Sequence, residues 1–381
     1  MKCLPESTVK LANGRILHDW HAEIVAIRAF NRWLLDSCKI LASTSPSTLS
    51  QTPTDPTLDP SIWLRKRTEP EKETNQTQPF GLRSDVRIYM YCSEAPCGDA
   101  SMELVMDAQE DATPWEKPLV GPSGTPDSGI AASPSLLGRG QFSQLGIVRR
   151  KPARPDAPVT LSKSCTDKIA QMQFLSLLSS TTSLLIHPEN AYIHSLILPK
   201  SQHVIKGTER AFGPNGRLAQ IHEDAQEYKL GWWAGYMLKW ISVWPTRHEF
   251  HWSRRVKLEG MGVKKFVPSN MAVVYTPHFQ ESLIGGVLQG RKLLDPKGAS
   301  RICRRSMMAA VVEVAGAVGA VKVMEGLNNR AYGDLKKDWQ MLEHRGRVKE
   351  YVRDGMAKEG WMRNDGDEGW QLDGTDEAEH K

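Results

Sequence analysis

Residues 18–35 read HDWHAEIVAIRAFNRWLL, a stretch that opens on polar residues and then places apolar side chains at helical spacing. Ile24, Ile27 and Leu34 recur at that spacing, which predicts a helix from about His21 onward. His21 and Glu23 therefore stand two positions apart at the start of the helix. Such a pair is common by chance on helices, so its meaning depends on what the rest of the chain supplies.

Two further segments supply cysteines. APCGDAS (residues 95–101) follows a predicted strand, and LSKSCTDKIA (residues 161–170) opens a predicted helix. A thiolate near a helix N-terminus has a lowered pKa, which favours metal binding. His21, Cys97 and Cys165 with one water would complete a tetrahedral zinc site, and Glu23 would carry protons there. Taken singly, each cysteine is more typical of a small buried thiol than of a metal ligand. The compact deaminase pattern, with a second cysteine three residues after the first, is broken here by Ala100.

The order of predicted elements is helix, strand, helix, strand, which favours an α/β fold. Two low-complexity insertions, at about residues 43–79 and 107–139, are predicted to be disordered, as is an acidic tail at about residues 365–381. The chain shows no membrane-spanning stretch and no apolar signal segment, and its six cysteines are scattered. We therefore expect an intracellular protein, of the nucleus or the cytoplasm, with reduced thiols.

The formal charge of +5 is modest, but the positive residues are clustered. Clusters occur around residues 149–151, 254–255, 264–265 and 301–305. A solvated surface explains any one of them, whereas together they suit a phosphate-rich partner. We therefore expect a phosphate-rich partner other than DNA, and no membrane partner.

The three segments quoted above resemble the adenosine deaminase domain shared by double-stranded-RNA editing enzymes and tRNA-specific adenosine deaminases. The resemblance extends to residues 138–165, 297–305 and 360–364. In that family the second cysteine ligand lies far downstream in a Ser-Cys-Ser-Asp-Lys motif, as Cys165 does within SCTDK. The resemblance implies a cytidine-deaminase-like three-layer α/β/α core with a C-terminal extension, forming one domain over residues 1–381.

The family also buries an inositol hexakisphosphate, and the matching positions carry over one at a time. They are Arg28, Lys151, Ser162, Lys168, Ser180, Arg304, Tyr332, Lys336, Trp339 and Trp361. Two departures are Ile27 and Gln171, where the RNA editors use Arg, so the shell around the phosphates is expected to differ. Asp19 and Lys168 resemble the polar relay that joins this cofactor to the zinc site.

Within the family, LANGRILHDWHAEI (residues 11–24) favours the branch that deaminates the adenosine on the 3′ side of the tRNA-Ala anticodon. Double-stranded-RNA editing and an inactive RNA-binding descendant remain alternatives. A free-nucleoside or cytidine deaminase is disfavoured by the long spacing to Cys165. Residues 1–5 resemble an interior segment of the family, which predicts that the chain begins in mid-domain, without the first strand.

Overall fold

The computed structural model describes residues 2–43, 58–72, 76–107, 136–137, 144–151, 158–227, 233–253, 255–257, 269–337, 340–357 and 361–372. The helices are α1 (Glu6–Val9), α2 (Ala22–Ser43), α3 (Met102–Asp107), α4 (Cys165–Leu175), α5 (Ile205–Phe212), α6 (Ala219–Glu227), α7 (Arg304–Ala317), α8 (Val321–Asn328), α9 (Tyr332–Lys337) and α10 (Glu343–Met356). The strands are β1 (Leu64–Lys66), β2 (Phe80–Leu82), β3 (Ile88–Tyr91), β4 (Leu136–Leu137), β5 (Arg149–Arg150), β6 (Ile186–His187), β7 (Ile193–Pro199), β8 (Ser242–Thr246), β9 (Met271–Thr276), β10 (Phe279–Ile284) and β11 (Val287–Leu288). The predicted α/β class is confirmed.

The sheet that positions the site has the order β3-β7-β8, and its strands are parallel. Because the strands run the same way, the segments that leave their carboxyl ends meet at one edge. Other strands form the sheets β1-β2-β6 and β11-β10-β9, and β4 pairs with β5. Within β7, Leu196 and Leu198 are fully buried and pack in one apolar cluster with Ile169 and Phe174 of α4.

Helix α2 packs into the core and supports the segments that form the site. Its buried residues include Ile24, Leu34 and Cys38, so its apolar face lies in the core for most of its 22 residues. The buried Asn31 donates to Leu177 O at 2.8 Å and accepts from Ser179 N at 2.7 Å, which ties α2 to the turn after α4. Within the part of the chain that the structure describes, no helix is long and apolar enough to cross a membrane.

The predicted first insertion is wrong over its second half. Residues 58–72 and 76–79 belong to the fold. The reason is local: Leu64 is buried, β1 pairs with β2, and the ring of Trp63 lies 4.7 Å from that of Trp33. Residues 44–57 and most of the second insertion lie outside the described residues.

The predicted acidic tail is also wrong at its beginning. Asp367 is buried and accepts from Gly14 N at 2.7 Å, while its other oxygen lies 2.9 Å from His18 Nε2. Trp370 is buried as well and stacks on Tyr332 with ring centroids 4.7 Å apart. Residues 361–372 therefore close over the N-terminal segment, whereas residues 373–381 lie outside the described part.

Candidate active site

Cys97 and Cys165 are brought together by the loop between β3 and α3, which packs on the N-terminus of α4. Thr166 N donates to Cys97 O at 3.0 Å, and the Thr166 hydroxyl donates to Pro96 O at 3.0 Å. Cys165 N donates to the sulfur of Cys97 at 3.4 Å, across 68 residues of sequence. These backbone-directed bonds fix both sulfurs at the start of one helix.

A glycine allows this close approach. Gly98 has φ of 111° and ψ of −146°, a conformation that is nearly restricted to glycine. A Cβ built there would lie 2.3 Å from Ser164 Oγ and 2.5 Å from Ser164 Cβ. Ser164 cannot easily move, because its hydroxyl caps α4 by accepting from Asp167 N at 3.0 Å.

We therefore expect Gly98→Ala to lower the free energy of unfolding by about 2 kcal/mol or more, through backbone strain and the clash with the cap. At this chain length the melting temperature should fall by about 2–3 °C or more. Gly290→Ala is the matched control, since Gly290 has φ of +82° with nothing within 4 Å of a built Cβ. Equal melting temperatures for the two variants would show that Ser164 moves aside at little cost and that its contact with the added Cβ does not destabilise the protein.

The two thiols share their ionisation. Hydrogen bonding to Cys165 lowers the pKa of Cys97 to about 6, against the effect of burial. Burial and the ionised Cys97 raise the pKa of Cys165 well above its usual range. Lys151 Nζ donates to the sulfur of Cys165 at 3.1 Å and favours the thiolate form at both positions. A pair of buried sulfurs that share a proton beside a cation is a donor set that suits a soft metal ion.

His21 and Glu23 lie at the N-terminus of α2, close enough to these thiols for charge there to affect them. Electrostatic effects of His21 reach Cys97, and those of Glu23 reach both Cys97 and Cys165. Asp19 orients His21 by accepting from its backbone N–H at 3.1 Å and from ring atom Nδ1 at 2.8 Å. A carboxylate that holds an imidazole in this way is typical of metal-binding histidines. The structure thus brings all four residues predicted for the metal and catalytic site into one neighbourhood.

Asp19 is the centre of a buried polar network. Its Oδ2 accepts from Lys151 Nζ at 2.8 Å, from Ser162 Oγ at 3.0 Å and from Lys168 Nζ. Burial alone would raise the pKa of Asp19, but Lys151 and Lys168 outweigh it and hold that pKa well below its usual range. Three of the positions that the resemblance assigned to the inositol phosphate shell therefore converge on the residue that orients His21.

His21 also belongs to a different group of potential metal ligands, which is the one close-set group of three among the described residues. Among the described residues, the ligand atoms of Cys3, Asp19 and His21 lie within 4.8 Å of one another, with Cys3 Sγ 3.7 Å from His21 Nδ1. Since Lys151, Lys168 and Ser162 already occupy the other oxygen of Asp19, this carboxylate is better suited to hydrogen bonding than to ligation. Cys3 is itself buried.

On the far side of Asp19, cations from several elements line the interior. Arg28 of α2, Arg304 of α7 and Lys336 of α9 surround the ring of Tyr332, with Lys336 Nζ 4.1 Å and Arg304 Cζ 5.5 Å from its centroid. Burial, together with the neighbouring Arg304, lowers the pKa of Lys336 to about 7. Burial and Arg304 also lower the pKa of Arg28. We call this set, with the residues of α10 described next, the cationic cradle.

Helix α10 adds two cradle residues that the sequence reasoning missed. Burial lowers the pKa of Lys349 well below its usual range, and Arg353 and Lys336 lower it further. Arg353 lies 5.2 Å from the ring of Trp361, and its Nε is buried without a hydrogen-bond partner. Arg345, Lys349 and Arg353 recur every four residues, a basic stripe on one helix face that would have revealed them.

The cradle fits a polyanion. Buried cations that repel one another are costly unless a negative group pairs with them. The side-chain nitrogen of Gln171, which replaces an Arg of the RNA editors, is likewise buried without a hydrogen-bond partner. Ser180 lies in the turn after α4, where its carbonyl accepts from Ser183 Oγ at 2.9 Å. Trp339 lies outside the described residues.

Comparison with known proteins agrees with this site. Residues 1–365 match the adenosine-deaminase (editase) domain family. The chain is 36% identical over 312 residues to tRNA-specific adenosine deaminase 1 of Schizosaccharomyces pombe, covering 81% of this chain and 70% of that protein. It is 31% identical over 189 residues to tRNA-specific adenosine deaminase 1 of Saccharomyces cerevisiae, covering 47% of this chain and 39% of that protein. It is 27% identical over 206 residues to double-stranded RNA-specific editase Adar of Drosophila melanogaster, covering 50% of this chain and 25% of that protein. The chain belongs to the adenosine-deaminase (editase) domain family and is a deaminase enzyme.

Proposed function

We propose that this protein is a zinc-dependent enzyme that converts adenosine to inosine in tRNA. The observation that carries the proposal is the meeting of Cys97 and Cys165 at one helix start, where Lys151 links the Cys165 sulfur to Asp19, the residue that orients His21. Membership of the adenosine deaminase family supplies the type of reaction. Two of the relatives are named for tRNA, which supplies the class of substrate.

In this proposal His21, Cys97 and Cys165 hold the zinc ion. When bound, zinc makes hydroxide available for attack on the purine near neutral pH. Glu23 would take one proton from the attacking water and deliver it to ring nitrogen N1 as the C6–O bond forms, and would then pass the second proton, from the new C6 hydroxyl, to the departing amine. The C6–N6 bond breaks, ammonia leaves, and inosine is formed. Asp19 keeps the imidazole of His21 oriented throughout, while Lys151 stabilises the negative charge of the two sulfurs.

The preferred substrate is the adenosine on the 3′ side of the tRNA-Ala anticodon. Unpaired bases in RNA loops can be unstacked at low cost and placed in a pocket, which suits this position. The direct test is inosine formation in a tRNA-Ala transcript, compared with a double-stranded RNA and with free adenosine. Inosine in the tRNA alone is expected. Faster reaction of the double-stranded RNA would favour the editing alternative, which the relative from Drosophila represents.

The cationic cradle is proposed to hold inositol hexakisphosphate. Arg28, Arg304, Lys336, Lys349 and Arg353 supply the charges, and Lys168 bridges the cradle to Asp19. A bound polyanion would neutralise these charges and thereby hold α2, α7, α9 and α10 together. Denaturation should release inositol hexakisphosphate from the protein, and mass spectrometry should detect it.

Lys349→Met tests whether the cradle holds a polyanion, because the variant should be less stable than the parent if it does and more stable if it does not. With a polyanion bound, loss of this cation should lower the free energy of unfolding by about 1–3 kcal/mol. In an empty cradle the same change removes a repelled, buried ammonium and should stabilise the protein. Lys337→Met, at the exposed end of α9, should change stability by no more than about 0.5 kcal/mol. Stabilisation by Lys349→Met would contradict the proposal.

A further inference from the structure

The segment that follows β8 lies at the rim of the candidate active site. The hydroxyl of Tyr91, at the end of β3, donates to His248 O at 3.2 Å. Arg255 donates to Ser93 O at 2.9 Å and forms an ion pair with Glu94, also at 2.9 Å. Ser93 and Glu94 lead directly into Cys97. We call residues 247–253 and 255–257 the rim segment, because these bonds fasten it to the loop that carries a predicted metal ligand.

Trp252 is the most exposed large side chain of the rim segment. Its indole is 70% exposed, and nearby Phe250 is 48% exposed. Lys257 Nζ lies 3.9 Å from the centroid of the indole, and the ring of His251 meets it edge-on at 5.1 Å. Lys257 and His251 also contact each other, at 3.1 Å between Nζ and Nε2. The indole is thus held in position from one face and one edge while most of its surface faces solvent.

This arrangement matches one kind of ligand. Exposed aromatic rings beside cations bind single-stranded nucleic acid, because each base stacks on the ring while the cations attract phosphates. An apolar protein partner would instead favour a wider patch with fewer charges at its centre. In the rim segment the exposed rings are flanked by Arg247 and Lys257. The chemistry therefore favours an unpaired nucleotide.

We propose that Trp252 stacks on an unpaired nucleotide of the RNA substrate, close to the adenosine that enters the site. The inference rests on the proposed function and adds a residue that recognises the substrate. Because Arg255 joins the rim segment to Ser93, a nucleotide held on Trp252 lies beside the entrance to the catalytic centre. Binding there acts on the substrate and on the transition state alike, so it affects KM more than kcat.

The test measures binding and turnover separately. Fluorescence anisotropy with a labelled tRNA-Ala transcript gives Kd, and inosine formation gives kcat and KM. Trp252→Ala is expected to raise both Kd and KM by about 5- to 100-fold, with kcat within about twofold. Trp252→Phe should recover part of the affinity, because a smaller ring still stacks. Lys257→Gln should weaken binding and make it less dependent on salt.

Tyr275→Ala is the control, since this side chain is 75% exposed on β9 and no contact places it at the rim segment. Kd and KM of Trp252→Ala equal to those of Tyr275→Ala would overturn the stacking proposal, even if the parent protein makes inosine. A parent protein that binds the transcript but forms no inosine would instead contradict the proposed function, while the Kd values still decide the role of Trp252.

Discussion

Glu23→Gln is expected to reduce kcat for inosine formation by at least about 10²- to 10⁴-fold, the range of a lost general acid–base group. The amide has nearly the shape of the carboxylate but cannot take a proton from water or pass one to N1. Glu23 lies in the first turn of α2 and is partly exposed, so the change should leave the fold intact. The measurement is inosine release under saturating tRNA.

Measuring the zinc content of Glu23→Gln distinguishes two causes of lost activity, the loss of the proton-carrying group and the loss of the metal ion. The negative charge of Glu23 raises the pKa of both Cys97 and Cys165, so its removal should not weaken binding by their thiolates. About one zinc per chain is therefore expected in the variant, as in the parent. Glu6→Gln, an exposed glutamate of α1, is the control and should keep full activity. Full activity of Glu23→Gln would show that another group carries the proton.

Local patterns were enough to predict the elements that hold the site. Helix α2, strand β7 and the turn that carries Cys97 each follow from spacing within a short window. The partnership of Cys97 with Cys165 does not, because 68 residues separate them and no spacing rule links such distant positions. Only the resemblance to a family suggested it, and the hydrogen bond between Cys165 N and the Cys97 sulfur places the two together.

Amino-acid composition gave wrong predictions for two segments that a few tertiary contacts hold in the fold. The segment around Trp63 and Leu64 is polar on average, yet one ring contact and one strand pairing are enough to fold it. Asp367 carries a charge expected of a solvated tail, but Arg304 lies 3.0 Å away and compensates it. The average polarity of a segment predicts whether it would be solvated on its own. It does not take into account the side chains that the segment contacts in the folded protein.

The cradle was predicted in part for a similar reason. Arg28, Arg304 and Lys336 came from the resemblance, whereas Lys349 and Arg353 were missed because charged residues on a helix usually face solvent. Their burial becomes visible only when α10 is packed against the rest of the chain. A basic stripe with valines beside it, at Val348 and Val352, is the sequence signal for such a helix.

Cys165→Ala is expected to reduce bound zinc from about one per chain to nearly none and to abolish inosine formation. Two of three protein ligands would remain, too few for the tetrahedral site that holds a catalytic zinc. Alanine leaves little space empty at this buried helix start, so the fold should persist and can be checked by the melting temperature. Cys92→Ala is the matched control, since Cys92 is also a buried thiol near Glu23 but is not a proposed ligand.

Cys3→Ala decides between the two possible ligand sets around His21. If the metal lies between His21, Cys97 and Cys165, Cys3→Ala should keep its zinc, because Cys3 Sγ lies against the ring nitrogen that Asp19 already holds. If the metal lies among Cys3, Asp19 and His21, the outcome reverses, with zinc lost in Cys3→Ala and retained in Cys165→Ala. The first result is expected, since Lys151 and Lys168 neutralise Asp19 and leave it a poor ligand. Zinc analysis of the two variants side by side therefore locates the ion without relying on activity.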